Sequence, residues 1–234
     1  MYASVAAVPS LDDGRERFDV TLIEPARRAA SVLFVAGRGG DPTRHRPLLE
    51  ALAGRGCKVI APHLDFLASP TPSAAELVAR GRRLSLALEA FAEPGEALTG
   101  VGHSLGASLL LGLAGARLWT RSAECVELRA RPALRRLCLL APALDFVQAP
   151  GALDAVAAPI VAWAGTEDPF VAPGRLDLLV AGVGSRASVE LRIVDGANHF
   201  SFMDRPPPQS RETLPDRAVF LAGLHDELAR IALG

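Results

Sequence analysis

Cysteine is scarce in this chain. Three in 234 residues, Cys57, Cys125 and Cys138, share no metal-ligand spacing and are too few to staple a fold. Cys57 and Cys138 sit inside apolar, strand-like runs, which predicts buried, reduced thiols; Cys125 lies in a polar stretch and is expected at the surface. A reducing, cytoplasmic compartment is the expectation. Charge of either sign is not in excess: 25 Lys and Arg against 26 Asp and Glu leave a net charge of -1, no electrostatic footprint for nucleic acid or an anionic membrane. No segment reaches the roughly 18 consecutive apolar residues of a membrane span, and Met1 to Ser10 lacks the basic stretch and apolar core of a secretory signal. Nucleic-acid and membrane partners are therefore not expected. Internal repeats and low-complexity linkers are also missing.

Apolar residues, by contrast, are plentiful. They make up 50% of the chain, enough for a sizeable core without staples, and the length suits one α/β domain over residues 1–234. Strands are predicted at Arg17 to Glu24, Ser31 to Ala36, Cys57 to Ala61, Ala97 to Val101, Leu137 to Leu140, Ile160 to Ala164 and Val189 to Val194. Helices alternate with them. Thr43 to Arg55 carries Leu48, Leu49 and Leu52 on one face; Ser73 and Glu76 form a capping-box pair ahead of Leu77, Leu84, Leu88 and Phe91. A helix is expected near Arg175 to Val180, and another after Pro215 with Phe220, Leu224, Leu228 and Ile231 on one stripe. The alternation predicts a mostly parallel sheet covered by helices on both faces, with ligands at the carboxyl ends of its strands. Leu118 to Arg135, polar and Arg-rich, reads as an extra helix or a flap. Arg205 to Glu212, with Pro206, Pro207 and Pro208, reads as an extended surface loop.

Chemistry enters at Gly102, His103, Ser104, Leu105 and Gly106, a G-x-S-x-G pentapeptide between an apolar strand and a Leu/Ala-rich helix. A strand that turns at once into a helix holds its central residue in a strained, exposed conformation, and flanking glycines remove the Cβ atoms that would clash. Ser104 is the candidate nucleophile; the plainer reading is a helix cap. A serine hydroxyl needs a base to take its proton and a carboxylate to hold that base. Past the strand Ile160 to Ala164 come Gly165, Thr166, Glu167, Asp168 and Pro169. Past the strand Val189 to Val194 come Asp195, Gly196, Ala197, Asn198 and His199. Asp168 is the favoured acid, with Glu167 and Asp145 as alternatives, and His199 the favoured base among five histidines.

Ser104, Asp168 and His199, in that order after successive strands, resemble the catalytic triad of the α/β-hydrolase superfamily, and the resemblance covers nearly the whole chain. It implies the α/β-hydrolase fold and an oxyanion hole made by two backbone N–H groups. One is that of Leu105; the other is that of Arg38, in the Gly37-Arg38-Gly39-Gly40 loop after the second strand. Ala36 departs from the pattern, standing where many relatives carry histidine. Gly37 and Gly39 are expected to bound the substrate, as is His103, although its place in the elbow turns it away from the serine. Arg38, Arg44, His45 and Arg46 cluster beside this loop, either to hold an anionic group or as a solvated helix start.

Only 17 residues separate Ala141 from Pro159, where many relatives insert a lid, so no separate lid domain is expected. The chain thus resembles small lidless carboxylesterases, thioesterases and dienelactone-hydrolase-like proteins. That resemblance implies a small ester or thioester substrate, cleaved through an acyl-enzyme, with amides left open. Neither a metal set nor a dinucleotide fingerprint is visible, so no metal and no cofactor is expected. The competing expectation is a non-catalytic ligand-binding module on the same fold. Nothing in the sequence sets the oligomeric state.

Overall fold

The computed structural model describes residues 5–93, 95, 96, 98–129 and 133–234. In chain order these form β1 (Val5–Ala7), β2 (Ser10–Asp12), β3 (Arg17–Glu24), β4 (Ala30–Val35), α1 (Arg46–Gly54), β5 (Cys57–Pro62), α2 (Ala74–Phe91), β6 (Leu98–His103) and α3 (Leu105–Leu113). There follow β7 (Arg117–Trp119), β8 (Cys125–Glu127), β9 (Leu134–Leu140), β10 (Ile160–Gly165), α4 (Asp177–Val183), β11 (Val189–Val194) and α5 (Arg217–Leu233). The main sheet has the order β1-β3-β5-β4-β6-β9-β10-β11, with β2 also on β3. From β5 to β11 every neighbouring pair is parallel; β3 joins antiparallel to β5 and to the two N-terminal strands.

Strand alternation builds both faces of the core. Leu33 and Val35 point to the layer of α2 and α3, while Val32 and Phe34 point to the layer of α1 and α5, as the period-2 pleat requires. All six residues of β4 are buried, as are those of β5, β6 and β10. That is why these strands read as continuous apolar runs rather than alternating ones. The chain runs from β4 outward to β5, then crosses back through α2 to β6 on the other side of β4. The crevice at the carboxyl ends of β4 and β6 is therefore the switch point at which open α/β sheets hold ligands.

Several sequence expectations need correction. Leu118 to Arg135 holds no helix where it is described: β7 and β8 pair antiparallel as a small separate hairpin, closed by Ala123 N–H donating to the Thr120 carbonyl. Three-residue strands are too short to show a period. Residues 130–132 of that segment, and Ala97 at the expected start of the β6 strand, lie outside the described residues. The expected helix from Thr43 begins as a 3-10 turn at Pro42–His45, capped by the Asp41 side chain, and becomes α-helical only at Arg46. The helix expected near Arg175 likewise opens with a 3-10 turn, Pro173–Leu176.

The strands β1 and β2, unexpected from the sequence, pair with β3 in one continuous register, Val5 with Glu24 and Asp12 with Arg17. Pro9 lies at the break between them, its carbonyl accepting from Val20 N–H; having no N–H to give, it fits an edge strand. Between β9 and β10 the chain makes a 3-10 turn at Leu144–Val147 and then loops, with no inserted lid among the described residues. No helix there is long and apolar enough to cross a membrane.

Candidate active site

The end of β6 turns directly into α3 at Ser104, whose backbone sits at φ 55°, ψ -121°. Positive φ in a non-glycine residue costs about 1–3 kcal/mol and persists only where its surroundings enforce it. Here they do. The Ser104 N–H donates to the Leu140 carbonyl at 2.9 Å, and its own carbonyl accepts from Ala107 at 3.1 Å and Ala143 at 3.2 Å. A Cβ at Gly106 would overlap the Val35 carbonyl of β4, and one at Gly102 would lie 2.8 Å from the Gly106 carbonyl carbon. Both glycines of the pentapeptide are thus required by close approach.

His199 follows β11 and Asp168 follows β10, two parallel neighbours that bring their loops together. His199 Nδ1 lies 2.8 Å from Asp168 Oδ2, and His199 Nε2 lies 2.9 Å from Ser104 Oγ. Asp168 Oδ1 accepts from the N–H groups of Phe170 at 2.8 Å and Val171 at 2.9 Å, which fixes the carboxylate plane. With Nδ1–H donated to the carboxylate, Nε2 is left with its lone pair toward the serine hydroxyl. Asp168 and His199 are both buried, whereas Glu167 and Asp145 are exposed. Asp145 is occupied by Arg175 and Gln148. Of the three acids weighed from the sequence, Asp168 alone is bonded to His199.

His103 is shut off from solvent. Its Nε2 lies 2.9 Å from the His199 carbonyl; a carbonyl only accepts, so Nε2 carries the proton. Burial holds its pKa well below the ordinary imidazole value, with His199 and His45 nearby adding to the effect. Gly37 lies against the elbow, where a Cβ would come within 3.1 Å of the Ser104 Cβ, while Gly39 has open space around it. Among the described residues the N–H groups of Leu105 and Arg38 have no acceptor. The cationic cluster expected near this loop is dispersed. Arg46 pairs with Glu50, Arg44 donates to the Arg205 carbonyl, His45 is buried, and the Arg38 guanidinium lies over the Phe66 ring at 5.5 Å.

Other residues at the site were not singled out by the sequence. Phe170, 62% exposed, sets its ring 5.2 Å from that of His199, and Phe200 sets its own at 5.3 Å. The proline-rich loop braces the segment that carries His199. Asn198 Nδ2 donates to the Arg211 carbonyl and Thr213 Oγ1, and Ser201 donates to Glu212. Thr166 joins the Asp168 loop to the His199 loop, accepting from Gly196 N–H at 2.8 Å. Asn, Ser and Thr in a loop sequence read as generic turn formers, so this brace has no signature of its own.

No protein-family model and no curated protein sequence matches the chain. Solved structures do. Esterase 2 of Thermogutta terrifontis phosphorylated by paraoxon aligns over 97% of this chain and 95% of that one, with 19% identity and a TM-score of 0.70. The propionate-bound form of that planctomycete esterase aligns with the same coverages, at 18% identity and a TM-score of 0.69. Its apo form gives 18% identity, again 97% and 95% coverage, and a TM-score of 0.67. With the sheet order and crossovers described above, this likeness shows that the chain has the α/β-hydrolase fold.

Proposed function

We propose that this chain is a serine hydrolase that cleaves small carboxylic esters or thioesters through an acyl-enzyme, with Ser104 as nucleophile, His199 as base and Asp168 as its orienting acid. The observation that carries this reading is the unbroken hydrogen-bonded series from Asp168 Oδ2 through both ring nitrogens of His199 to Ser104 Oγ, spaced at 2.8 and 2.9 Å. Ser104 Oγ attacks the carbonyl carbon while His199 Nε2 takes its proton. The oxyanion is received by the free N–H groups of Leu105 and Arg38, and Asp168 stabilises the imidazolium. His199 then protonates the leaving alkoxide or thiolate, and water, deprotonated by the same nitrogen, releases the acid.

With no lid among the described residues, the site suits a small soluble substrate rather than aggregated lipid. The similar Thermogutta esterase has propionate- and butyrate-bound forms, which favours short acyl groups for this chain as well. The chain acts as one domain without a cofactor, and its unpaired thiols Cys57, Cys125 and Cys138 suit the cytoplasm.

The test is hydrolysis of short p-nitrophenyl esters and an acyl-CoA panel by the wild type and Ser104→Ala, with folding checked by circular dichroism. Turnover that disappears with Ser104, together with labelling of the wild type by a fluorophosphonate, is the expected result. A folded wild type that neither labels nor turns over would overturn it in favour of a ligand-binding module.

A further inference from the structure

Arg80, on α2, is 4% exposed, although an arginine on an amphipathic helix ordinarily snorkels to water. Among the described residues its guanidinium pairs directly with no carboxylate. Nη1 donates to the Gly37 carbonyl at 3.0 Å, and Nη2 donates to the Arg38 carbonyl at 2.8 Å and also to the carbonyl of Asp65. Burial lowers its pKa to about 10, which leaves it a cation near neutral pH. A buried cation whose direct contacts are carbonyl oxygens is poor for stability, since desolvating it is expensive and the Asp65 and Glu76 charges offset this only through space. Arg83, one turn along the helix, shows the contrast: it is neutralised by Asp13, Asp65 and Glu16.

A trans peptide is planar, with its C=O and N–H pointing in opposite directions. When Arg80 draws the Gly37 carbonyl toward itself, the N–H of the same peptide unit, that of Arg38, must point away from α2. Drawing the Arg38 carbonyl does the same to Gly39 N–H. Gly37 itself lies against Ser104, so this turn sits beside the serine. Resting on the hydrolase reading above, we infer that Arg80 is a positioning residue that aims the second oxyanion donor by gripping the carbonyls of Gly37 and Arg38. Its charge also polarises those peptide units, making their N–H groups better donors to a developing oxyanion.

The chemistry follows the N–H and not the substrate's ground state, so removing the grip acts on kcat rather than KM. The experiment compares wild type, Arg80→Gln and Arg80→Lys on p-nitrophenyl acetate, with kcat expressed per serine titrated by fluorophosphonate, so that misfolded molecules do not count. The expected result is a fall in kcat of about 100-fold for Arg80→Gln, the scale of losing one oxyanion donor, with KM unchanged and a smaller fall for Arg80→Lys. Unchanged kcat per titrated serine in a folded Arg80→Gln would overturn the inference while leaving the hydrolase intact. A wild type without activity would instead defeat the hydrolase reading.

Should neither variant fold, the wild type supplies the measurement. Covalent phosphonylation of Ser104 should shift the backbone amide proton of Arg38 downfield in the NMR spectrum. An Arg38 amide that does not move on phosphonylation would equally overturn the inference.

Discussion

His103 Nε2 donates to the backbone carbonyl of His199 at 2.9 Å, so the residue just before Ser104 holds the loop that carries His199. The imidazole rings of the two lie 5.0 Å apart. Replacing His103 with phenylalanine keeps a flat aromatic ring, one atom larger, and removes the donor. Buried carbonyls left without a partner destabilise by about 1–3 kcal/mol, and small displacements of a catalytic group can lower rates about 10- to 100-fold. His103→Phe should therefore show a lower denaturant midpoint and a kcat/KM on p-nitrophenyl acetate reduced on that scale. An undiminished kcat/KM would mean the His199 loop holds itself.

Asp168→Asn tests which acid serves His199, the proposed base. Asparagine can still accept from Phe170 and Val171 through its oxygen, but its amide nitrogen then faces His199 Nδ1 as a donor. The imidazole must accept there and carry its proton on Nε2, where it cannot take one from Ser104. A fall in kcat of about 10⁴-fold is expected. Asp145→Asn breaks only an exposed pairing with Arg175 and Gln148 and should leave the rate unchanged. The reverse ranking in steady-state assays would move the acid to Asp145.

Much of this arrangement is legible in the sequence. The strands Arg17–Glu24 and Val189–Val194 have the ends expected from the sequence; Gly14 and Pro25 punctuate the first, and Gly196 follows the second. The Ser73–Glu76 capping box opens α2 as anticipated, because both of its partners are local. What escaped is non-local. The strands β1 and β2 exist only by pairing with β3, and three residues are too few to declare a period. Arg80 reads as one more solvated helix cation until α2 is seen packed beneath the Gly37–Gly40 turn. His103 lies in a motif whose glycines and serine are constrained by the turn itself, whereas its own role depends on a carbonyl 96 residues away.

Phe170 offers a ring at the mouth of the site, exposed yet in edge contact with His199. Truncating an exposed side chain leaves stability within about 0.5 kcal/mol. A substrate group that rests on the ring loses apolar contact worth about 1 kcal/mol, equivalent to a KM raised about 5-fold. Phe170→Ala should accordingly raise KM for butyrate and larger acyl esters while leaving acetate unaffected. A uniform change across the acyl series would show that the ring steadies His199 instead.

His45 predicts how the fold responds to acid. Its ring is buried between Phe34 at 4.8 Å and His103 at 5.5 Å, and neither ring nitrogen has a partner among the described residues. Burial lowers its pKa from 6.5 to about 4, against a partial opposing pull from Asp204. Between those values the unfolded chain binds a proton that the folded chain refuses, so stability rises with pH across the window and falls as the solution is acidified through it. From pH 6.5 down to pH 5, above the main range of carboxylate titration, the loss amounts to about 2 kcal/mol. His103, also buried with a depressed pKa, adds in the same direction. Leucine at position 45 would bind no proton in either state, so His45→Leu should flatten the dependence of urea-unfolding free energy on pH between 7 and 5. It should not weaken the fold at pH 7, since the imidazole it removes carries two unsatisfied nitrogens. A variant that keeps the full wild-type slope would show that the acid sensitivity arises elsewhere, with His103 the next group to replace.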